Sequence, residues 1–187
     1  MSTRIVRSAL LATVVTLIAT CSLAPAASAD DYLVGLWGAA QFAGFVESWQ
    51  GDDPANLDAN FGSSDSTQYT NDGYGCQKRW NELGMKVDLN TYGTDVDACE
   101  QGLFGRAQLT SSIWHTSNGI RPGSSAKKAR KKSVARCSNK PLHYCGAKGY
   151  ILSTHRSDCA AGRVPSVIAR VRGSRVTSLI VFTTSCE

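Results

Sequence analysis

An even set of six cysteines behind an N-terminal export signal constrains the fold of this chain most strongly. Removal of Cys21 with the leader leaves this set, which comprises Cys76, Cys99, Cys137, Cys145, Cys159 and Cys186. In an exported chain an even number of cysteines predicts disulfide bonds, and six cysteines allow fifteen pairings. We therefore expect three disulfides, and the sequence does not choose among the pairings.

The export signal lies at the start of the chain. Arg4 and Arg7 precede an apolar stretch from Ala9 to Ala19, and a small-residue triplet follows at 27–29. Positive charge, a short apolar stretch and small residues in this order predict a signal peptide over residues 1–29. The apolar stretch is about a dozen residues, whereas roughly twenty are needed to span a bilayer. No later segment reaches that length, so no transmembrane segment is expected after leader removal.

The remaining residues are numerous enough to bury a core. Residues 30–187 are expected to form a single secreted domain, extracellular or associated with the cell wall. Cys137, His143 and Cys145 could be read as zinc ligands, but zinc usually takes four ligands and thiols in an oxidising compartment tend to pair. Disulfides are therefore favoured, and no metal or other cofactor is expected.

Charge is divided unequally along the exported chain. Residues 30–104 contain thirteen acids and three bases, whereas residues 105–187 contain fifteen bases and two acids. Such segregation indicates either an acidic half docked on a basic half within the molecule or a basic surface open to an anionic partner. The sequence leaves both alternatives open.

The densest charge is a cluster of five bases within six residues, formed by Lys127, Lys128, Arg130, Lys131 and Lys132. This cluster is a candidate patch for an anionic partner, either a protein or an acidic envelope polymer. The alternative, which we favour, is the solvated face of a helix. Nucleic acid is disfavoured because no aromatic side chain lies among the bases to stack on nucleotides.

Local patterns predict two helices and a loop. Residues 53–62 combine an acid and a proline typical of a helix start with apolar residues at helical spacing. Residues 124–133 predict the second helix, with Ser124 or Ser125 placed to bond its free amide groups. Residues 63–75 are rich in Ser, Asp, Asn and Gly, which predicts a loop.

Other segments have the patterns of strands. Residues 84–89 read as a strand, and residues 106–114 alternate apolar with polar side chains, as one face of a sheet requires. Two β-rich runs, 167–171 and 175–183, flank Gly173 and predict a hairpin, since glycine tolerates the backbone angles of a tight turn.

A helix followed by strands thus occurs twice. The expected fold is α+β, with two related helix-plus-antiparallel-sheet units in one disulfide-bonded domain. The units span about 30–115 and 116–187, and helices cover one face of the sheet. The apolar opening at 30–49 enters the core as a helix or a strand, and its glycines leave that choice open.

Several short motifs carry a family resemblance. They are the run Thr116–Ser125, the hairpin segment Gly173–Leu179, the closing Cys186, and Cys76 followed by Trp80, Leu83 and Gly84. Together they resemble a group of uncharacterised secreted bacterial proteins, chiefly from actinobacteria. These are loosely similar in layout to the tandem repeats of beta-lactamase inhibitory protein and of small outer-membrane assembly lipoproteins. The resemblance, over about Phe61 to Glu187, implies an α+β fold of two related units and no enzyme chemistry.

Candidate catalytic groups are few. The chain contains three histidines, His115, His143 and His155, and histidine is the residue type best suited to proton transfer in catalysis. A hydrolase would join one of them to an acid such as Asp158 or a serine such as Ser153. No motif for a nucleophile elbow, a metal-binding helix or a phosphate-binding loop occurs, although a triad can be assembled in space without one. No catalytic residue is assigned, and surface or strand-edge positions are favoured for the histidines.

The tryptophans could line a binding face or fill the core. Core packing is the expectation for Trp80 and Trp114, which lie in or beside predicted ordered segments. The sequence thus predicts a secreted, non-enzymatic binding or interaction protein of unknown target, with a sheet face or the basic cluster as its contact surface. The alternative is a small secreted hydrolase or nuclease that uses a histidine.

Overall fold

The structure is a computed structural model, and it describes residues 33–34, 41–42, 45–46, 54–70, 73–91, 93, 95–137, 149–156 and 163–182. The helices among these residues are α1 (Pro54–Phe61), α2 (Ala98–Gln101) and α3 (Ala126–Lys132). The strands are β1 (Leu33–Val34), β2 (Gln41–Phe42), β3 (Phe45–Val46), β4 (Ser66–Thr70), β5 (Gly75–Trp80), β6 (Met85–Asn90), β7 (Leu103–Leu109), β8 (His115–Thr116), β9 (Ala135–Arg136), β10 (Gly149–Arg156), β11 (Arg163–Arg172) and β12 (Arg175–Phe182). None of these helices has the length and apolar character to cross a membrane.

Most of the chain folds around an eight-stranded antiparallel sheet. Its strands lie in the order β4-β5-β6-β7-β12-β11-β10-β9. The strands β4 to β7 follow one another in both sequence and space, and β12 then joins β7, with Leu179 opposite Leu109. The fold is therefore mainly β with a few short helices, which confirms the predicted antiparallel α+β class in its coarse form.

A second, smaller sheet contains the N-terminal strands. Its order is β3-β2-β1-β8, and β1 runs parallel to β8 with Leu33 opposite His115. The sequence left helix or strand open for residues 30–49. The described parts of that segment are short strands.

One face of the large sheet packs against all three helices. In β6 the side chains of Met85, Val87 and Leu89 are buried, whereas Lys86 and Asp88 between them are partly exposed. The buried residues of β6 join one core cluster with Leu57 of α1, Ala98 of α2 and Ala129 of α3. Because strand side chains alternate between faces, the helices cover one face of the sheet, as predicted.

Both predicted core tryptophans lie in this cluster. Trp80 is 3% exposed and Trp114 is fully buried. Each indole Nε1 donates a hydrogen bond of 2.7 Å to a backbone oxygen, of Gly62 and Leu83 respectively, so burial leaves no indole donor unpaired. The Phe61 ring packs edge-on against both indoles. The expectation of core packing is confirmed.

Local turn and capping signals were reliable. The predicted helices at 53–62 and 124–133 correspond to α1 and α3, and the Ser125 hydroxyl accepts a hydrogen bond of 3.2 Å from the Lys128 amide. The predicted hairpin is formed by β11 and β12, with Gly173 at a φ of +61°. That angle lies in the left-handed region, where residues with a Cβ atom are strained.

One local prediction was wrong, and the bounds of another were only partly right. Residues 63–75, predicted as a loop, contain β4, whose polar side chains are largely exposed and whose backbone pairs with β5 along its whole length. The strand predicted at 106–114 begins earlier, at Leu103, and ends at Leu109. Thr110 then bonds through its amide to the Gly84 oxygen at 2.8 Å, and the chain turns toward Trp114. In both cases long-range backbone pairing overrode the local pattern.

A disulfide joins the sheet to α2. Cys76 of β5 and Cys99 of α2 are bonded across a sequence separation of 23 residues. Closing a loop of that size stabilises a fold by roughly 3–4 kcal/mol in the chain-entropy description. Cys137 is also disulfide-bonded. Its partner is outside the described residues, as are Cys145, Cys159 and Cys186.

Candidate functional site

The sheet face opposite the helices carries an ordered group of polar side chains on β5, β6 and β7. We call this group the polar face, and it consists of Gln77, Arg79, Lys86, Asp88, Arg106 and Gln108. Each alternates along its strand with a residue of the helix-side core, such as Trp80, Val87 or Ala107. The polar face therefore points away from the helices.

Hydrogen bonds link four of these side chains across three strands. Both Nε and Nη2 of Arg79 donate to Oε1 of Gln77, at 3.0 and 2.6 Å. Gln77 Nε2 donates to Oδ1 of Asp88 at 2.9 Å, and Arg106 Nε donates to the other carboxylate oxygen, Oδ2, at 2.5 Å. These hydrogen bonds hold four of the six side chains of the polar face in a fixed arrangement relative to one another.

A cavity of about 360 Å³ opens at one end of the polar face. Its wall includes Arg79, Lys86 and Gln108, which lie side by side in one row across β5, β6 and β7. We call these three residues the cationic row. Asn81 and Thr110 add an amide and a hydroxyl group to the same cavity. The lining therefore offers two positive charges and several neutral polar residues, together with the apolar side chains of Trp80 and Met85.

A tight turn between β5 and β6 forms the end of this cavity. Gly84 has a φ of +56°, and a Cβ atom at this position would lie 2.7 Å from the Ser111 amide nitrogen. Thr110 donates to the Gly84 oxygen through both its amide and its hydroxyl, at 2.8 and 2.9 Å. The turn is thus held against the start of the next segment, and only glycine fits there without displacement.

The five bases predicted as a candidate patch lie on α3, which we call the basic helix. All five side chains are exposed, while Ala129 between them is fully buried against the core. Lys128 Nζ donates to the Gly119 oxygen at 2.9 Å. Since Ala129 belongs to the helix-side core, the basic helix and the polar face lie on opposite sides of the sheet. Exposure is what both a contact patch and a solvated helix face require.

The histidines are not assembled with the candidate catalytic partners among the described residues. His115 is partly exposed, and its Nδ1 lies 3.3 Å from the backbone oxygen of Ile113. Ser153 is 4% exposed, and its hydroxyl lies 2.7 Å from that of Ser166. His143, Asp158 and the side chain of His155 are outside the described part of the structure. Within that part, no group of three or more His, Cys, Asp or Glu side chains could hold a metal ion.

A hydrogen-bonded pair with shifted pKa values lies between the edge strand β4 and α2. The Tyr69 hydroxyl of β4 donates to Oδ2 of Asp97 at 2.7 Å. This hydrogen bond raises the pKa of Tyr69, and it lowers the pKa of Asp97 together with a bond from the Cys99 amide. Asp97 also caps α2, accepting from the amides of Cys99 and Glu100. The pair therefore ties the edge strand to the disulfide-linked helix.

The sequence indicated a sheet face as a possible contact surface but not the residues that form it. The available signal was the strand alternation of β5 and β6. This alternation places Arg79 and Lys86 on one face of the sheet and Trp80 and Val87 on the other. A second signal was the scarcity of bases, since residues 30–104 contain only three against thirteen acids.

Comparison with known proteins gives little for this chain. No family model matches it. A search of curated proteins likewise found no match. Among solved structures, the chain is similar to a cysteine-rich secretory protein from Staphylococcus aureus subsp. aureus Mu50. The two share 15% sequence identity, and the TM-score is 0.42. The similarity covers 72% of this chain and 44% of that one, so the chain spans less than half the length of that protein.

Proposed function

We propose that this chain is a secreted, non-enzymatic binding protein that contacts a protein partner through the polar face. The observation that carries the proposal is the hydrogen-bonded network of Arg79, Gln77, Asp88 and Arg106 on the sheet face that the helices leave uncovered. A fixed array of mixed charges and amides suits the polar contacts of a protein interface, because little side-chain freedom remains to be lost on binding.

The polar face is a better candidate than the basic helix for a protein partner. Its Asp88 and Arg106 present both signs of charge, and their donors and acceptors are held at defined positions. The basic helix presents one sign only, and Lys128 alone among its bases donates a side-chain hydrogen bond in the described structure. A flexible array of like charges suits an anionic envelope polymer better than it suits a shaped protein surface.

We also propose that the domain consists of the two related units expected from the sequence. The arrangement of the large sheet supports them, since β7 and β12 meet at its centre while β4 and β9 lie at its two edges. In each half a helix precedes the strands, α1 in the first and α3 in the second. On this view the first unit supplies the contact surface. The second unit completes the sheet on which that surface rests.

We propose in addition that the chain is secreted. The N-terminal segment has the order of a signal peptide, and the Cys76–Cys99 disulfide is compatible with an oxidising compartment. A disulfide that connects β5 to α2 would hold the polar face on a rigid support outside the cell. Protein partners would therefore be sought in culture supernatant and in envelope extracts.

Site-specific photo-crosslinking tests the proposed contact surface. A photoreactive amino acid is placed at Gln108 on the polar face or, as a matched control, at Lys131 on the basic helix. We expect the Gln108 probe to form one saturable crosslinked protein product, which excess wild-type protein competes away and the Arg106→Glu variant does not. Crosslinks from the Lys131 probe alone would contradict the proposal and favour an envelope polymer or protein bound to α3.

A further inference from the structure

We infer that the cavity at the end of the polar face receives an acidic side chain, Asp or Glu, of the protein partner. The inference rests on the proposed function, because it names the contact that the cationic row would make within the same surface. Its direct ground is the placement of Arg79 and Lys86, two positive charges that stand opposite each other on neighbouring strands. Both line the same cavity.

This placement is unfavourable in the free protein. Like charges directly opposite each other in an antiparallel pair repel and destabilise the sheet. Next to them in the row stands Gln108, which brings no negative charge. No described carboxylate lies within 4.0 Å of the amine of Lys86 or the guanidinium of Arg79. The row thus carries two positive charges that no described carboxylate contacts, and an incoming carboxylate would pair with them.

The absence of a partner acid in this row is notable because the surrounding segment is acidic. Lys78 is the one base of residues 30–104 outside the cationic row, and it is paired with Asp58 at 2.7 Å. Asp88 lies two positions from Lys86 on the same face, but its two oxygens accept from Gln77 and Arg106. The acid nearest to the row along β6 is therefore already occupied, and both bases line the cavity without a contact to a described carboxylate.

The cavity lining offers a carboxylate hydrogen-bond donors as well as positive charge. Arg79 already uses Nε and Nη2 to hold Gln77, which fixes the plane of its guanidinium beside the cavity. A carboxylate can accept from an arginine fork and from an amine at once, with short charge-assisted bonds. Gln108 and Thr110 supply further neutral groups at the cavity wall. An extended acidic side chain fits a cavity of about 360 Å³.

Titration by nuclear magnetic resonance tests this assignment with the full exported chain. The probes are a tetraglutamate peptide, the matching tetraglutamine peptide and inorganic phosphate. We expect tetraglutamate to produce saturable shifts at the side-chain Nε–H of Arg79 and at the amides of Lys86 and Gln108, with no effect from tetraglutamine. Lys86→Gln should weaken tetraglutamate binding at least tenfold, while Lys131→Gln on the basic helix leaves it unchanged.

Other outcomes would overturn the assignment. Equal saturable shifts with inorganic phosphate would show a general anion site, and shifts centred on α3 would show attraction to net charge alone. If tetraglutamate fails while the Gln108 photo-crosslink persists, the polar face stands and the acidic-side-chain inference falls. If both fail, the proposed function falls with it.

Discussion

The face of the large sheet opposite the helices changes character halfway across. In its first half, Arg79, Lys86 and Gln108 form a polar row. The same row continues across β12 and β11 with Ile180 and Ile168, which are 3% and 1% exposed. Backbone pairing passes through this boundary without interruption, so the sheet itself does not distinguish the two halves. The side chains and their burial do.

The two halves therefore contribute differently to the stability of the fold. The apolar half forms a second buried cluster of Cys137, Ile151, Ile168, Ile180 and Phe182. Burying such side chains stabilises the fold, whereas partly exposed polar side chains contribute little. The polar half can therefore hold an arrangement suited to binding without loss of a large stabilising contribution.

The largest expected effect tests that difference directly. Ile180→Ala should lower the free energy of unfolding by about 2–5 kcal/mol, because it removes buried methyl groups and leaves a cavity. The neighbouring change Gln108→Ala in the polar half should stay within about 0.5 kcal/mol of wild type. Urea denaturation followed by circular dichroism measures both values. Similar costs for the two variants would show that the polar half is part of the packed structure.

A second test compares two ion pairs on opposite faces of the sheet, Lys78–Asp58 on the helix side and Arg106–Asp88 on the polar face. Asp58→Ala should cost about 2 kcal/mol, because it leaves the amine of Lys78 unpaired under α1, where that side chain is 9% exposed. Asp88→Ala should cost at most about 1 kcal/mol, because its partner Arg106 is 49% exposed.

The matched control for this pair is Asp58→Asn, which retains a side-chain oxygen for Lys78 and should recover part of the loss. Chemical denaturation gives the three free energies. A larger cost for Asp88→Ala than for Asp58→Ala would mean that the polar face, rather than the helix contact, stabilises this half.

A smaller effect of opposite sign is expected in the cationic row. Lys86→Gln should stabilise the protein by about 0.2–1 kcal/mol, because it removes the repulsion from Arg79 directly opposite. Lys131→Gln on the basic helix is the control for a simple change in net charge. Thermal unfolding at low ionic strength compares the two variants. An equal gain in both would attribute the effect to net charge and not to the opposed pair.

The smallest effect concerns pH and the exposed Tyr69–Asp97 pair. The pKa of Asp97 is lowered from 3.8, so its contribution to stability is present above that pH and is lost as pH falls through the folded value. The pKa of Tyr69 is raised from 10.0, so its contribution is present below that pH and is lost as pH rises through the folded value.

Hydrogen exchange can locate this loss within the sheet. Below pH 3.8, amides of β4 and α2 should lose protection before those of β11 and β12, and Asp97→Asn should shift this difference toward neutral pH. Simultaneous loss in both halves would show that the pair does not control local opening of the polar half.

Much of the fold follows from local sequence chemistry. Ser125 caps α3, and Gly173 forms the turn of the last hairpin, because each depends on neighbours a few residues away. The strand β4 was missed for the opposite reason. Its polar residues carry no alternation, and its backbone is recruited by pairing with β5, which brings Gln68 opposite Gln77.

The candidate site depended on the same long-range pairing. Arg79 and Lys86 are seven positions apart in the chain and become neighbours only through the register of β5 with β6. Gln108 joins them from a third strand. No sequence window contains this row, so composition could show that bases are scarce in this segment but not that two of them share one cavity.

By itself the sequence determined the caps and turns of α3 and the last hairpin, and the division of side chains between the two faces of β6, because strand alternation is a local property. It also determined that residues 30–187 contain six cysteines. Only the tertiary structure decided which face the helices cover, which cysteines meet in the Cys76–Cys99 bond, and where unpaired charge remains. Alternation shows that two faces differ, but what lies against each face depends on contacts between residues far apart in the chain.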